Sequence, residues 1–464
     1  MKKFFCPSSI CVVGASSTPG KVGYILMKNL LYGQVYRGYE YRYEGKIYPV
    51  NKKGGTIFGI KAFTSINELP EIPDVTAIAV PAEKVIDVIK DGLLKGIDRF
   101  IIISAGFSES GEEGRKRERA LYELIKGKAR VIGPNCLGIM SSPCKMNLSF
   151  TKFSPPPGKI AFISQSGAIG SSVVDYAREE LFGISYFASL GNKMDVEDTD
   201  LIIFFSEEKM VSCISIYMEA TRDGRKFYEI LKEVTRKKPV VILKAGVSEI
   251  GAQAAKSHTG AIAGNDFGYD AAIKQAGALR ARTMLEFFDF SRALAYQPPL
   301  FGDVAILTNA GGPGIIAADM AYRLGLPLSS LSSHTLSKIS EVCPPTWSKG
   351  NPVDIIGDAD PERFKNVFEI LMEAPEVGGI IFIVSRQGLT RLEEISENLI
   401  ISMEKFKNSK PVVACFVGII GQEDVFLNNH GIPAMEVPER AVRAMYALYR
   451  RGKFLKKIHQ LEGS

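Results

Sequence analysis

The chain has 464 residues, of which 46% are hydrophobic and 23% are charged, and its formal net charge is +6. This length exceeds what one hydrophobic core organises and predicts roughly three domains, while the ordinary composition excludes a disordered or fibrous protein. The small net charge, without a basic stripe, predicts no nucleic-acid partner. No stretch approaches the ~18 apolar residues of a membrane span, so we expect no membrane association.

The seven cysteines include no Cys-x-x-Cys pair. We therefore expect neither a disulfide framework nor a zinc site, and no other metal site in this chain. The N-terminal apolar run imitates a signal peptide, but Pro7 interrupts it and residues 10–13 are needed as a strand. Together these features predict a reduced, cytoplasmic protein.

Short runs rich in valine and isoleucine recur between amphipathic stretches along the whole chain. Continuous apolar runs are typical of strands buried on both faces of a parallel sheet, and helical patterns between them indicate an α/β fold. The predicted strands are residues 10–13, 77–80, 100–103, 160–163, 214–217, 240–243, 304–307, 380–384 and 412–416.

Two proline-rich joints, at 154–157 and 297–299, divide the chain into three blocks. The second and third blocks repeat one another, because residues 162–168 and 306–312 have similar sequences with similar residues following them. Two doubly wound domains of the same fold are the natural explanation. The predicted domains are 1–150, 155–297 and 300–464.

The first predicted strand leads into a glycine-containing loop, residues 14–23, and then into an amphipathic helix. Backbone amides at such a helix N-terminus are suited to bind a phosphate. The spacing is G-x5-G-x2-G rather than the dinucleotide G-x-G-x-x-G, so the loop alone fits a nucleotide site or a plain tight turn equally well. The next strand ends at Asn51, Lys52 and Lys53 instead of an acidic residue, which favours a phosphorylated ribose, as in NADP or coenzyme A.

Two further loops, 104–108 and 133–138, follow predicted strands and should line the same crevice. The turns 164–170 and 309–314 each join a strand to a helix and are rich in small residues, which suits an anion held by amide dipoles. Ser166 lies outside the G-x-S-x-G pattern, so we do not expect it to be a nucleophile.

His258 lies in the segment 251–264, fourteen residues with hardly a bulky side chain. A neutral imidazole in such a loop is a competent nucleophile, and the loop can approach a ligand closely. Glu219 follows a predicted strand and could orient that imidazole, although an exposed acid at a strand end remains the alternative.

In chain order, these motifs resemble the α subunits of nucleoside-diphosphate-forming acyl-CoA synthetases, most closely the ADP-forming acetyl-CoA branch, which is related to succinyl-CoA synthetase. The resemblance covers essentially the whole chain. The motifs that carry it are residues 14–23, 133–138, 163–168, 190–192, 217–219, 256–260 and 351–354.

The resemblance implies an N-terminal Rossmann-like CoA-binding domain followed by two flavodoxin-like doubly wound parallel-sheet domains. It implies that His258 becomes phosphohistidine, that Glu219 stabilises it and that Asn192 contacts the substrate. The implied CoA-binding residues are Gly14, Ser16, Ser17, Pro19, Gly20, Lys21, Val22, Gly23, Asn51, Lys52, Val80, Pro81, Ser104, Ala105, Gly106, Pro134, Asn135 and Cys136. The implied phosphate-binding residues are Ser164, Gln165, Ser166, Gly167, Ala168, Asn309, Ala310, Gly311, Gly312 and Gly314.

The family pattern also places two helix N-termini opposite one another across the phosphate. Because no ATP-grasp segment follows residue 464, we expect ADP or ATP with Mg²⁺ to bind a separate ATP-grasp β subunit, in an α2β2 heterotetramer. Cys136 stands where the succinyl type has threonine, which supports the acetyl branch, and we interpret it as a small residue near the thioester. The preferred acid is left open.

Two alternatives remain at this point. An NADP-linked oxidoreductase would share the first domain but leave His258 and both later turns unexplained. A non-catalytic CoA-sensing module would keep the first domain without needing Glu219 and His258, whose presence favours an enzyme.

Overall fold

The structure, a computed structural model, describes residues 1–36, 39–251, 253, 266–388, 390–418 and 420–462. The chain divides into two compact units, Met1–Arg280 and Ala281–Ser464. Two large sheets lie in the first unit and one lies in the second.

The first sheet is built from the first third of the chain. Its elements, with two small hairpins, are α1 (Lys2–Phe5), β1 (Ser9–Val13), α2 (Val22–Leu31), β2 (Gln34–Tyr36), β3 (Tyr39–Tyr41), β4 (Lys46–Val50), β5 (Thr56–Ile57), β6 (Ile60–Lys61), β7 (Val75–Ile78), α3 (Ala82–Lys95), β8 (Arg99–Ile102), α4 (Glu112–Ile125) and β9 (Arg130–Ile132). Its five strands are parallel, in the order β4-β1-β7-β8-β9. Every residue of β1 is buried, as expected for a strand that is paired on both sides and covered on both faces.

Helix α3 shows how the helices cover this sheet. Val85, Ile89 and Gly92 are buried and recur at the spacing of one helical face. Gly92 has no side chain because the ring of Phe100 in β8 occupies that space. The helix ends where Gly96 adopts a left-handed conformation with φ 92°, which glycine reaches without strain.

The second sheet completes the first unit. Its elements are β10 (Gly138–Ser141), β11 (Met146–Ser149), β12 (Ile160–Ser164), α5 (Gly167–Glu179), β13 (Ile184–Ser189), α6 (Asp198–Glu207), β14 (Cys213–Met218), α7 (Gly224–Lys237), β15 (Val240–Lys244), α8 (Asp266–Gln275) and β16 (Leu279–Ala281). The order is β11-β10-β13-β12-β14-β15-β16. Strands β12 to β15 are parallel, whereas β10 pairs antiparallel with both β11 and β13.

The second unit contains one five-stranded sheet with helices around it. Its elements are α9 (Met284–Tyr296), β17 (Asp303–Thr308), α10 (Gly311–Leu324), α11 (Ser333–Val342), β18 (Val353–Asp354), α12 (Pro361–Glu373), β19 (Val377–Ser385), α13 (Leu392–Lys405), β20 (Val412–Val417), α14 (Gln422–Asn429), β21 (Ala434–Met435) and α15 (Pro438–Glu462). The strand order is β18-β17-β19-β20-β21, with parallel pairing throughout.

The three sheets share one topology. In each, the first strand of the parallel set lies between the second and the third, so the chain reverses its direction of winding beside that first strand. Loops that follow the strands on either side of this reversal leave a crevice, the usual place for a ligand in such sheets. The crevices lie beyond β1 and β7, beyond β12 and β14, and beyond β17 and β19.

The predicted α/β fold is confirmed, and every predicted strand overlaps an observed one. The prediction for residues 77–80 is shifted, because β7 ends at Ile78 and the next two residues belong to the loop. The antiparallel edge of the second sheet was not predicted. Polar residues such as Asn147 and Ser149 interrupt its apolar pattern, and they are satisfied by a buried hydrogen-bond network.

The expectation of fully reduced cysteines is wrong for one pair. Cys6, directly after α1, forms a disulfide with Cys144, in the turn between β10 and β11, with 5.6 Å between their Cα atoms. The two residues are 138 positions apart in the chain, and sequence spacing cannot show that folding brings them together. The other five cysteines are free and buried.

Among the described helices, none combines the length and the apolar character required to cross a membrane.

Candidate active site

A cavity of 820 Å³ opens within the first unit, between the crevices of its two sheets. One part of its wall comes from loops of the first sheet, including Val80 and Ser104, and another from the turn before α5, including Ser166 and Gly167. Asn135 and Asn192 lie in the same wall. The cavity therefore brings together loops that the sequence analysis assigned to CoA and a turn that it assigned to phosphate.

The predicted site residues other than His258 fall into three sets. Twelve of them line the cavity, namely Val22, Val80, Ser104, Ala105, Asn135, Cys136, Gln165, Ser166, Gly167, Ala168, Asn192 and Glu219. Others in the first unit do not line it, namely Gly14, Ser16, Ser17, Pro19, Gly20, Lys21, Gly23, Asn51, Lys52, Pro81, Gly106, Pro134 and Ser164. Asn309, Ala310, Gly311, Gly312 and Gly314 belong to the second unit.

The loop between β1 and α2 is shaped for close approach by a ligand. Gly14 has φ 89°, and a side chain there would collide with the carbonyl oxygen of Ala79. Helix α2 begins at Val22 with no side-chain cap on its first amides. These amides face the crevice beyond β1, so an anion could accept their hydrogen bonds.

Asn51 has a structural task in this loop. Its side-chain amide donates to the carbonyl oxygen of Ala15 over 2.7 Å, and its Oδ1 accepts from the amide of Lys53 over 2.9 Å. The end of β4 is thereby fastened to the loop after β1. Lys52 and Lys53 are exposed beside that junction, where they can reach a phosphate group without losing an existing partner.

The turn between β12 and α5 is stabilised by hydrogen bonds from its own side chains. The Ser164 hydroxyl donates to the carbonyl oxygen of Ser166 over 2.7 Å. The Ser166 hydroxyl accepts from the amide of Ile169 and caps α5. A side chain at Gly170 would collide with the ring of Phe187, so close packing requires glycine at position 170. The amides at the start of α5 are left at the cavity wall.

Gln165 links this turn to the end of β14. Its Oε1 accepts from the amides of Glu219 and Ala220 over 2.8 and 3.0 Å. Its Nε2 donates to Asp198 Oδ1 and to the carbonyl oxygen of Ala220 over 2.8 and 2.9 Å. All four hydrogen-bonding positions of the side chain are used, so the turn and the strand end form one rigid piece.

Beneath this piece lies an ion pair between Lys193 and Asp198. The Lys193 ammonium donates to Asp198 Oδ2 over 2.8 Å and to the carbonyl oxygen of Ala220 over 2.7 Å. The two side chains are 11% and 2% exposed. Because a cation buried this deeply needs a partner, each member of the pair fixes the other.

Glu219 lies on the rigid piece and lines the cavity. Its charge acts on two neighbours. Burial, and after it the Glu219 carboxylate, raises the pKa of Tyr217 to about 12. Burial lowers the pKa of Lys244, and the charges of Asp266 and Glu219 partly oppose that shift. A carboxylate held at a cavity wall beside other titratable groups can stabilise a cationic imidazole.

Asn135 and Asn192 come from two loops that are fastened to one another. The amides of Asn192 and Met194 donate to the carbonyl oxygens of Pro134 and Gly133. A side chain at Gly191 would collide with the carbonyl oxygens of Pro134 and Asn135, which explains the glycine before Asn192. The Asn135 side-chain amide donates to Asn192 Oδ1 over 3.2 Å. Both side chains therefore have fixed positions in the cavity wall.

Cys136 is buried in the same wall, and burial raises the pKa of its thiol to about 12. The thiol donates to the carbonyl oxygen of Ile102 over 3.3 Å. A thiol in this state is not a nucleophile at neutral pH, so we assign Cys136 no covalent role.

In the second unit, the turn between β17 and α10 repeats the local hydrogen bonds of the first turn. The Thr308 hydroxyl donates to the carbonyl oxygen of Ala310 over 3.1 Å, as the Ser164 hydroxyl does to Ser166. Asn309 accepts from the amide of Ser385 over 2.8 Å, just as Gln165 bonds to the end of β14. Helix α10 has no side-chain cap.

His258 and the motif 256–260 lie outside the described residues, so the structure gives no distance from the imidazole to either turn. Within the described part of the chain, no group of three or more histidine, cysteine or acidic residues is arranged to hold a metal.

Three family models match the chain in succession: a CoA binding domain at residues 8–142, a succinyl-CoA ligase like flavodoxin domain at 157–294 and a ligase-CoA domain at 304–459. The α subunit of acetate–CoA ligase [ADP-forming] I from Pyrococcus furiosus is 42% identical over 98% of this chain and 99% of its own length. The chain belongs to the family of ADP-forming acetate–CoA ligases.

Other members of the family differ in how the chain is organised. The acetate–CoA ligase [ADP-forming] of Methanocaldococcus jannaschii is 39% identical over 97% of this chain, which spans only 63% of that longer protein. Among solved structures, the dinucleotide-forming acetyl-coenzyme A synthetase 1 of Ca. Korarchaeum cryptofilum, in complex with phosphate and ADP, matches with a TM-score of 0.92. That match has 34% identity and covers 99% of this chain and 98% of the other.

The candidate active site of this ADP-forming acetate–CoA ligase family member also contains residues that the sequence analysis did not predict. Lys193 lines the cavity, whereas its partner Asp198 does not. Both were missed because an ion pair five residues apart with a non-helical conformation between its members has no recognisable sequence pattern. Glu109 was missed although it directly follows the predicted loop 104–108. Ser108, Leu137 and Gly191 line the cavity and lie in loops or motifs that the sequence had singled out, although they were not named as site residues. The other lining residues that were not predicted are Ala79, Ile103, Phe150, Ser171 and Ala220.

Proposed function

We propose that this chain is the α subunit of an ADP-forming acyl-CoA synthetase, which converts acyl-CoA, phosphate and ADP into a carboxylic acid, CoA and ATP. The observation that carries the proposal is the cavity in which the CoA-domain loops and the turn before α5 meet. A thioester on one side and a phosphate on the other would then be adjacent. Similarity over the full length to ADP-forming acetate–CoA ligases supports the same activity.

The two alternative functions lack such support. A nicotinamide-dependent oxidoreductase gives no role to the turn before α5 or to the Glu219 carboxylate, which both line the cavity. A CoA-sensing module does not need the buried network of Gln165, Lys193 and Asp198, which holds polar groups in fixed positions at a cost in desolvation. The matching family models cover all three parts of the chain, not the CoA-binding part alone.

In the proposed first step, inorganic phosphate rests on the amides that begin α5 and attacks the thioester carbonyl carbon. The new bond joins a phosphate oxygen to that carbon, and the bond to sulfur breaks, so CoA leaves as a thiolate that takes up a proton. Gln165 holds the turn, while Asn135 and Asn192 orient the thioester. Such positioning, with oriented amides facing a developing charge, is worth on the order of 3 kcal/mol for each donor.

In the proposed second step, a His258 ring nitrogen attacks the phosphorus of the acyl phosphate. The bond between phosphorus and the acyl oxygen breaks, and the free carboxylate leaves. Glu219 accepts a hydrogen bond from the other ring nitrogen and stabilises the charged ring. The segment that carries His258 then delivers the phosphoryl group to ADP. Phosphoryl transfer depends chiefly on in-line positioning and charge neutralisation.

The proposal includes a second subunit, because the relative in Pyrococcus furiosus is named a subunit alpha and the relative in Methanocaldococcus jannaschii is a longer single chain. We propose that the partner is an ATP-grasp β subunit that binds ADP or ATP with Mg²⁺, in an α2β2 assembly in the cytoplasm. We further propose three domains, at 1–150, 155–297 and 300–464. The second phosphate cradle comprises Asn309 to Gly314.

The experiment that tests the proposal incubates the full chain with acetyl-CoA, labelled inorganic phosphate and Mg²⁺ and then maps acid-labile label. We expect label on His258 in the wild type and none in His258→Ala. In Glu219→Gln we expect labelling to fall about 100-fold with CoA binding retained, because a charged intermediate loses its stabilising acid.

His334→Ala is the matched control, since His334 is an exposed histidine on α11, and it should label like the wild type. Absence of label in the wild type, or label that survives in His258→Ala, would refute the phosphohistidine mechanism. Normal labelling of Glu219→Gln would remove Glu219 from it.

A further inference from the structure

The loop between β8 and α4 places an acidic side chain in the cavity that the sequence did not anticipate. Glu109 and Ser108 both line the cavity, together with Asn135 and Asn192. Neither an anion-binding site nor a CoA-binding site needs a carboxylate at this point, since both ligands are negatively charged. Its presence therefore requires an explanation of its own.

Glu109 is held rigidly by hydrogen bonds to both of its oxygens. Oε1 accepts from the amides of Gly106 and Phe107 over 2.6 and 3.1 Å. Oε2 accepts from the Asn192 side-chain amide over 2.6 Å. These contacts fix the carboxylate against the loop and against the residue that is proposed to orient the thioester.

A second carboxylate reinforces the first. Glu118, on α4, accepts from the same Asn192 nitrogen over 2.7 Å and from the amide of Ser108 over 3.1 Å. Two acidic side chains therefore flank one amide nitrogen. Burial raises the pKa of Glu109, but the hydrogen bonds from Asn192, Gly106 and Phe107 outweigh it and hold that pKa below its ordinary value. Glu109 is consequently charged at neutral pH.

The position of the acyl group follows from the two ends of the cavity. Val22, Val80 and Ser104, from the proposed CoA-binding loops, line the cavity, and so do Ser166 and Gly167, from the proposed phosphate-binding turn. Because phosphate must reach the thioester carbon, that carbon lies between the two sides. Asn192 and its acidic partner Glu109 line the same cavity, so an acyl chain bound between the two sides would lie near a fixed negative charge.

We propose that Glu109 is a specificity-determining residue that restricts this enzyme to acyl groups without a second carboxylate. The inference rests on the proposed acyl-CoA synthetase function and adds the substrate class. A neutral acyl chain has no unfavourable interaction with Glu109. An acyl chain that ends in a carboxylate brings a like charge close to Glu109 in a half-buried site, where water screens the repulsion only partly.

The test compares butyryl-CoA with succinyl-CoA, because the two acyl groups have the same number of carbons and differ in the terminal charge. The full chain is incubated with each thioester, labelled phosphate and Mg²⁺, and the second-order rate constant for acid-labile labelling is determined. In the wild type we expect a large preference for butyryl-CoA. In Glu109→Gln we expect the butyryl-to-succinyl ratio to fall at least tenfold, which corresponds to about 1.4 kcal/mol of lost discrimination.

Two further variants give the comparison its controls. Glu113→Gln removes the same charge from the start of α4, where the side chain is 81% exposed, and should leave the ratio unchanged. Glu118→Gln removes the second charge at Asn192 without changing a cavity-lining residue and should lower the ratio less than Glu109→Gln does. If Glu109→Gln does not fold, Glu118→Gln still tests whether a negative charge beside Asn192 sets the butyryl-to-succinyl ratio.

An unchanged butyryl-to-succinyl ratio in both Glu109→Gln and Glu118→Gln would overturn the inference. So would an equal fall in Glu113→Gln, since the effect would then be one of general charge. Failure of the proposed function is distinguishable from these results, because the wild type would then show no labelling with either thioester.

Discussion

The turn before α5 and the turn before α10 have the same local structure but different surroundings. In both, a strand-end hydroxyl donates to the carbonyl oxygen two residues later, and an amide side chain reaches the end of the next strand in the sheet. Each also has a cation and a carboxylate nearby, Lys193 with Asp198 and Arg386 with Asp424. The repeated sequence thus encodes a repeated scaffold.

The surroundings differ in how firmly the ion pair is joined to the turn. Asp198 bonds directly to Gln165 of the first turn, and Lys193 beside it is 11% exposed. Within the described residues, the second turn reaches Arg386 through the hydrogen bond between Asn309 and the neighbouring residue Ser385, and the Arg386 side chain is 29% exposed. Asp424 Oδ1 has no hydrogen-bond partner among the described residues. The first turn is therefore the more rigid of the two, in keeping with the proposal that a thioester and a phosphate are aligned beside it.

The largest expected difference between the turns concerns their carboxylates. Asp198→Asn leaves a buried ammonium without its counter-charge and should lower the free energy of unfolding by about 3–5 kcal/mol. Asp424→Asn should change it by about 1 kcal/mol or less, because the burial of Asp424 offsets much of what its charge gains from the partly exposed Arg386. Denaturant unfolding of the full chain measures both. Equal losses would contradict the proposed difference in rigidity.

The buried carboxyl group of Asp424 also predicts that the stability of the fold depends on pH. Burial raises the pKa of Asp424, against the opposing hydrogen bond from Gly421 and the charge of Arg386. A raised folded-state pKa means that the folded protein gains stability from the protonated acid at low pH and loses it as the pH rises through that pKa. On acidification, the stability of the wild type should therefore improve relative to that of Asp424→Asn.

An intermediate effect is expected from the amide side chains. Gln165→Leu removes four hydrogen bonds and leaves the buried Asp198 and the end of β14 with unsatisfied groups, so we expect a loss of about 3 kcal/mol. Asn309→Leu removes two hydrogen bonds to Ser385 and should cost about 1–2 kcal/mol. Thermal or denaturant unfolding gives the order, and a larger loss in Asn309→Leu would show that the second turn is the better fixed.

The smallest expected effect tests the helix caps. Ser166→Ala removes the side-chain cap of α5 and should cost about 1 kcal/mol. Ala310 has the extended conformation of a capping residue, with φ −149° and ψ 127°, so Ala310→Ser should stabilise α10 by a similar amount. Unfolding midpoints of the two variants should move in opposite directions. A shift in the same direction would mean that the turns are not equivalent scaffolds.

Much of this architecture was predictable from the sequence because it depends on local rules. Continuous apolar runs predicted the strands, and the repeated turns predicted that two parts of the chain share one doubly wound fold. Glu219 and Gln165 were found because each directly follows a strand. Lys193, Asp198 and Glu109 were not, because their roles depend on contacts between different loops. The pairing of Cys6 with Cys144 likewise depends on the finished fold.

That disulfide has a topological consequence for the first unit. Residues 6–144 span the first sheet, and the bond between their ends turns this stretch into a closed covalent ring. A single protease cut anywhere inside the ring would leave the polypeptide in one piece on a non-reducing gel, and fragments would separate only after a thiol reductant is added. Each strand of the CoA-binding sheet is thus attached to the rest of the molecule by two routes instead of one.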